Sequence, residues 1–70
     1  MNYTDAVTRI KNSNEPFEWI PVPRNKKPVY FHQGLYRALL RAGLFVNVIT
    51  ATRKKRFFML VDRRKGVREL

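Results

Sequence analysis

The positions of the prolines restrict the fold of this chain more than any other sequence feature. All four lie between residues 16 and 28. Pro16 disfavours helical geometry at Glu15, so a helix that precedes it is expected to end there. Pro21 and Pro23 cannot donate backbone hydrogen bonds, which limits the segment around them to a sheet edge or to a strand end. The chain is therefore expected to pass from a helix through an edge strand, and Pro28 closes the loop behind that strand.

The segment before the prolines has the pattern of a short amphipathic helix, from about Thr4 to Ser13. Thr4 can cap its N-terminus, and Asp5 then lies in the first turn, where the helix dipole favours a negative charge. The core-facing side of this helix is expected to present Ala6, Val7 and Ile10.

A second helix is predicted from about Val29 or Tyr30 to Ala42, because apolar residues recur there at helical spacing. Gly34 weakens the start of this pattern, so a start near Gln33 is the alternative. Gly43 follows the pattern directly and is expected to end the helix at its C′ position.

Three segments rich in β-branched and aromatic residues are typical of strands: Phe17–Val22, Leu44–Thr50 and Arg56–Val61. The charged segment Thr52–Lys55 between the last two is typical of a hairpin tip. The order α-β-α-β-β predicts an α+β fold in which two helices pack on a small, mostly antiparallel three-stranded sheet.

The small size of the chain limits its core. A domain of 70 residues without cysteine has no disulfide to reinforce it. We expect residues 1–62 to form one α+β domain and residues 63–70 a basic C-terminal tail. No carboxylate pair, nucleophile–base arrangement or Gly-rich phosphate loop is recognisable, and one histidine cannot build a metal site alone. The sequence therefore predicts no enzyme, no metal and no cofactor, and a fold supported by a binding partner.

The charge indicates what that partner is. Fifteen Lys and Arg face five Asp and Glu, for a formal net charge of +10. Residues 1–23 hold two bases and three acids, net −1, whereas residues 24–70 hold thirteen bases and two acids, net +11. Such a field favours a polyanion, above all a nucleic acid. No apolar run approaches the roughly 20 residues of a membrane span, so a membrane is not expected to be the partner.

Several segments resemble, in order, the N-terminal half of the bacterial-type small-subunit ribosomal protein eight family. The first helix, Asp5-Ala6-Val7-Thr8-Arg9-Ile10-Lys11-Asn12, is similar to that family's opening helix. Ile20-Pro21-Val22-Pro23 looks like its first strand end, and Arg24-Asn25-Lys26-Lys27 like the turn that follows. Ala42-Gly43-Leu44-Phe45 is similar to the close of its second helix, and residues 44–61 occupy the place of its hairpin.

The resemblance covers about residues 3–62 and departs from the family in two respects. The stretch from Pro23 to Gly43 is a few residues longer, and nothing matches the family's C-terminal half, which supplies its best-known RNA contacts. The resemblance implies a structural constituent of the small ribosomal subunit that binds and braces rRNA. It implies three kinds of partner: small-subunit rRNA, neighbouring ribosomal proteins and a separate chain that supplies the missing half. A mitochondrial ribosome is favoured, with a bacterial or plastid ribosome as the alternative.

The candidate RNA-binding residues are hydroxyl, amide and basic side chains, the groups that contact phosphates and ribose hydroxyls. Each group also has a simpler explanation, as a solvated surface or, at a hairpin tip, as protection of a strand edge. The candidates are Thr8, Arg9, Lys11 and Asn12 on the first helix, Arg24, Lys26 and Lys27 in the loop, Arg53, Lys54 and Lys55 at the hairpin tip, and Arg63, Arg64 and Lys65 in the tail.

The aromatic residues Trp19, Phe57 and Phe58 could stack on unpaired bases, but a core this small favours packing inside. Phe57 and Phe58 are adjacent on a strand, so one of them must face away from the core. His32 is expected to be structural or at the surface. Two other functions stay open: a free-standing basic RNA-binding module, and a protein–protein adaptor whose charge serves an acidic partner.

Overall fold

The computed structural model describes residues 2–64 and 68–69, which form two helices and five strands. Of residues 68–69 only the backbone is described. The elements are α1 (Tyr3–Asn12), β1 (Phe17–Pro21), α2 (Pro28–Arg41), β2 (Leu44–Phe45), β3 (Asn47–Arg53), β4 (Arg56–Asp62) and β5 (Arg68–Glu69).

Strand β4 is the centre of a three-stranded antiparallel sheet with the order β1-β4-β3. Val61 of β4 lies opposite Glu18 of β1 on one side and opposite Val48 of β3 on the other. Strand β1, which ends at Pro21, is at an edge of this sheet, as its missing donor predicted. The predicted α+β class, with two helices and a three-stranded antiparallel sheet, is confirmed.

The side chains of β4 alternate between the two faces of the sheet. Met59 and Val61 are fully buried beneath the helices, whereas Phe58 and Leu60 point to the opposite face and are half-buried. The core therefore lies between one sheet face and the helices, and its other buried apolar residues are Ala6, Ile10, Ile20, Val22, Phe31, Leu35, Leu39 and Leu44.

The N-terminus of α1 is capped by Asn2 rather than by Thr4, so that part of the prediction is wrong. The Asn2 Oδ1 accepts a hydrogen bond from the backbone N–H of Asp5 at 2.8 Å. The cap lies two residues earlier than expected because Tyr3 already has helical geometry and packs on α2. Asp5 does lie in the first turn, as predicted.

Helix α2 begins at Pro28, earlier than either predicted start. Proline suits the first turn of a helix, since its missing N–H is not needed there. At the other end Gly43 has a positive φ of 76°, the left-handed conformation expected of a C′ glycine. The full helix, Pro28–Arg41, therefore includes Gly34 well inside it.

Gly34 is explained by the close approach of the two helices. A Cβ atom at this position would lie 2.2 Å from the hydroxyl oxygen of Tyr3 and 2.4 Å from its Cζ. The Tyr3 ring is held there by Phe31, at 5.2 Å between ring centroids, and by the Lys26 ammonium 5.3 Å from the ring. A side chain at residue 34 would have to displace this ring.

Gly34→Ala should cost about 1–3 kcal/mol through overpacking. Because alanine gains roughly 1 kcal/mol over glycine in a helix, we expect the free energy of unfolding to fall by a net amount of up to about 2 kcal/mol. In a Tyr3→Ala background the clash is absent, so the same substitution should then stabilise the chain. Urea unfolding followed by circular dichroism measures both effects. A stabilising Gly34→Ala in the presence of Tyr3 would contradict this packing.

The predicted strand Leu44–Thr50 is divided into two strands at Val46. Leu44–Phe45 pairs with β5, while β3 pairs with β4, so the chain changes partner between them. Strand β3 extends to Arg53, which leaves only Lys54 and Lys55 in the hairpin turn. The predicted C-terminal tail is likewise only in part a tail, because Arg68–Glu69 form β5.

Candidate nucleic-acid interface

The basic loop after β1 and the hairpin tip, two segments about 30 residues apart in sequence, meet around one cleft. The backbone N–H of Val22 donates to the carbonyl oxygen of Phe57 at 3.1 Å and holds the two segments together. We call this cleft, of about 370 Å³, the basic cleft. Within the described residues every charged side chain that lines it is a base: Arg24, Lys26, Lys54, Lys55 and Arg56.

The loop side of the basic cleft has its own turn. The Lys26 N–H donates to the carbonyl oxygen of Pro23 at 3.0 Å, and Lys26 also lies over the Tyr3 ring. Lys27 occupies the N-cap position of α2, where its carbonyl oxygen accepts from Tyr30 and Phe31, and its side chain is exposed. The backbone at Lys26 and Lys27 is thus fixed by local hydrogen bonds and by the start of α2.

The hairpin side of the basic cleft has an uncommon backbone conformation. Lys54 and Lys55 both have positive φ, 52° and 61°, in the two-residue loop between the paired residues Arg53 and Arg56. This geometry is that of a type I′ turn, which glycine and asparagine normally occupy. Left-handed backbone at a non-glycine residue costs about 1 kcal/mol or more and is often found at functional sites.

Arg53 was predicted with the hairpin tip but does not line the basic cleft. Its guanidinium carbon lies 5.2 Å from the centre of the Trp19 ring, on the sheet face away from the helices. Arg56 was not among the candidates, although it belongs to the same basic run, and it lines the cleft in place of Arg53. The two arginines are cross-strand partners and lie on the same sheet face, and only Arg56 also borders the basic cleft.

The candidates on α1 have two different roles. Thr8, Lys11 and Asn12 are exposed. The Arg9 Nε donates to the buried carboxylate of Glu18 at 3.0 Å, and the hydroxyl of Ser13 donates to the same carboxylate. The Arg9 side chain is nevertheless 46% exposed, so it stabilises the fold and also reaches the surface. Removing it would leave Glu18 buried without a cation, which is costly.

A groove of about 650 Å³ between α1 and α2 adds two bases that the sequence analysis missed, Arg37 and Arg41. They line this groove together with Thr4 and Thr8. Their spacing of four residues puts them on one face of α2, which is the signal that would have identified them.

The tail candidates are tied to the rest of the chain. Arg63 donates from its backbone to Pro16 at 2.7 Å and from its guanidinium to the carbonyl oxygen of Glu15 at 2.8 Å. Arg64 pairs with the Asp62 carboxylate at 2.8 Å, and hydrogen bonding and charge from Asp62 raise the pKa of Arg64. Lys65 lies outside the described residues.

The expectation that the large aromatic residues pack in the core is wrong for Trp19, Phe57 and Phe58. Trp19 and Phe58 lie on the sheet face opposite the helices, with a T-shaped contact at 5.7 Å between ring centroids. Phe57 faces the other way, lines the basic cleft and is 48% exposed. His32 is structural, as predicted: its Nε2 donates to the carbonyl oxygen of Val48 at 2.8 Å.

Comparison of the chain with protein-family models, with curated proteins and with solved structures gave no match. Within residues 2–64 and 68–69, neither helix has the length and apolar character needed to cross a membrane.

Proposed function

We propose that this protein binds folded RNA through the basic cleft and braces adjacent rRNA helices as a structural constituent of the small ribosomal subunit. The basic cleft is the observation that supports the proposal most. Five cations converge there from two segments, although like charges at short distance oppose folding. A ridge of phosphates would neutralise this repulsion and release counterions, which favours binding.

The simpler explanation, that these bases only keep the chain soluble, accounts less well for their arrangement. Solubility requires charges of either sign spread over the surface. Here bases from distant segments share one concave site, and two of them occupy a costly backbone conformation. A concave basic site suits the convex backbone of a folded nucleic acid better than it suits bulk water.

The ribosomal part of the proposal is supported by the sequence resemblance and by the element order. The succession of helix, edge strand, helix and hairpin agrees with the fold that the resemblance implies. The exposed hydroxyl and amide of Thr8 and Asn12 on α1 suit ribose 2′-hydroxyls, which favours RNA over DNA as the partner.

In-cell crosslinking of the full chain at its natural level tests the proposal. We expect small-subunit rRNA to be recovered, crosslinked to peptides that contain Arg24–Lys27 or Lys54–Arg56. Crosslinks to protein without RNA would favour the adaptor and contradict the proposal.

Sedimentation separates the ribosomal component from a free-standing RNA-binding module. Since the resemblance favours a mitochondrial ribosome, mitochondrial small subunits are the first fraction to measure, with bacterial or plastid subunits as the alternatives. A ribosomal constituent should stay with the small subunit through a high-salt wash. A chain that binds RNA but sediments alone would be a free-standing module.

A further inference from the structure

The sheet face opposite the helices is apolar, and neither α1 nor α2 packs on it. We call it the open sheet face, defined by Phe17, Trp19, Ile49, Phe58 and Leu60. Trp19, Leu60 and Ile49 lie side by side across the three strands. Ile49 is 58% exposed and Phe17 is 37% exposed, which is unusual for large apolar side chains.

Arginines surround the open sheet face, and each lies over one of its rings. Arg53 lies 5.2 Å from the Trp19 ring, Arg64 lies 5.1 Å from the Phe17 ring, and Arg56 lies 6.0 Å from the Phe58 ring. Guanidinium groups in this position can stack on a base and pair with a phosphate at once. The face therefore combines flat apolar surfaces with a positive rim.

We propose that the open sheet face binds a short single-stranded segment of RNA, with two or three unpaired bases stacked on Trp19 and Phe58 and with phosphates at the arginine rim. This inference rests on the proposed RNA-binding function and adds a second, chemically different contact to it. The basic cleft would hold backbone phosphates of folded RNA, whereas the open sheet face would hold exposed bases.

Charge complementarity favours RNA over an apolar protein partner. Burying this face against a protein would remove the guanidinium groups of Arg53 and Arg56 from water, which is unfavourable unless each finds an anion. A nucleic-acid strand supplies a phosphate for every base. Asp62, the acidic residue of β4 at this end of the sheet, is already paired with Arg64 at 2.8 Å, so its charge is compensated.

Fluorescence tests the proposal on the unmodified chain, since Trp19 is its only tryptophan. An oligoadenylate of about eight nucleotides should quench Trp19 emission as it binds, because bases stack on the ring. A blunt-ended RNA duplex offers phosphates without free bases, so it should bind, by anisotropy, with little change in Trp19 emission. Oligoadenylate binding that leaves Trp19 emission unchanged would overturn the proposal.

A matched pair of variants tests the position of the strand. Ile49→Glu places a carboxylate on the open sheet face, whereas Thr50→Glu places the same charge on the opposite face of β3, and both residues are exposed. We expect Ile49→Glu to weaken oligoadenylate binding by about 5- to 50-fold, because a carboxylate repels phosphates. Thr50→Glu should weaken it by less than about 3-fold, since exposed charges on the far face are largely screened.

The RNA duplex separates the failure of this inference from the failure of the proposed function. If both variants bind oligoadenylate equally while the duplex binds tightly, the open sheet face is not an RNA site, and the basic cleft can still be one. If neither RNA binds the unmodified chain, the proposed function fails and this inference fails with it. Circular dichroism of both variants confirms that they are folded.

Discussion

Replacing Lys54 and Lys55 by Asn and Gly will stabilise the free chain and weaken its binding to RNA. The two residues form the turn of the β3–β4 hairpin, with φ of 52° and 61°. Asn-Gly is the preferred sequence of a type I′ turn because both residues tolerate this conformation. We expect the free energy of unfolding to rise by about 1–2 kcal/mol, the cost of left-handed backbone at two lysines.

The same substitutions remove two of the five bases that line the basic cleft. Charge-assisted hydrogen bonds contribute roughly 1.5 kcal/mol each, so the loss of two should lower the affinity for folded RNA by about 150-fold. The dependence of log Kd on log salt should also become shallower by about 1.5, since each lost phosphate contact lowers the slope by 0.7–0.9. Fluorescence anisotropy of a labelled rRNA fragment at several salt concentrations measures both quantities.

The matched control is the double variant Arg37→Gln and Arg41→Gln, which removes the same charge from the groove between α1 and α2. If both double variants lose affinity equally, net charge alone governs binding. If Lys54→Asn with Lys55→Gly stabilises the chain and leaves RNA affinity intact, the tip serves only to protect the strand edge. Either result would contradict the role of the basic cleft.

The elements of this fold were predictable wherever a local rule decided them. Gly43 ended α2 because no other residue type tolerates its φ of 76° as readily. Pro21 placed β1 at a sheet edge because it lacks a donor. One rule that failed concerned an interaction between distant residues: Gly34 was taken to weaken a helix, whereas it accommodates the ring of Tyr3 from α1.

The direction of the β4 side chains could not be predicted from the sequence. Residues 57–61 are apolar without exception, so both alternating sets of side chains are equally suited to a core. The helices cover Met59 and Val61, which leaves Phe58 and Leu60 on the open sheet face. An exposed apolar face therefore could not be recognised from a strand in which both faces are apolar.

The bases of the site were mostly predictable, but their convergence was not. Arg24 and Lys54 belong to separate basic segments whose relation depends on the pairing of Val22 with Phe57. No local sequence pattern predicts pairing between residues so far apart in the chain. Conversely, Arg9 was expected at the surface alone, and its contact with Glu18 depends on how α1 lies on β1.

A second large effect is expected in the core, at Phe31. This side chain is 1% exposed, lies on α2 and packs against the Tyr3 ring. Phe31→Ala should lower the free energy of unfolding by about 3–5 kcal/mol, from lost burial and from the cavity that remains. A domain of this size has a total stability of roughly 4–10 kcal/mol. The variant should therefore be largely or partly unfolded near 37 °C, as circular dichroism at increasing temperature would show.

RNA should restore part of the free energy of unfolding that Phe31→Ala removes, because a ligand that binds only the folded chain stabilises it. At a free RNA concentration about 100-fold above Kd the gain is roughly 2.7 kcal/mol, enough to raise the Tm of the variant by roughly 10–20 °C. Phe31→Leu is the matched control and should cost less than about 1.5 kcal/mol. A Phe31→Ala variant that melts like the unmodified chain would contradict the packing of the core. A variant that still binds the RNA but whose Tm does not rise would show that binding does not require this fold.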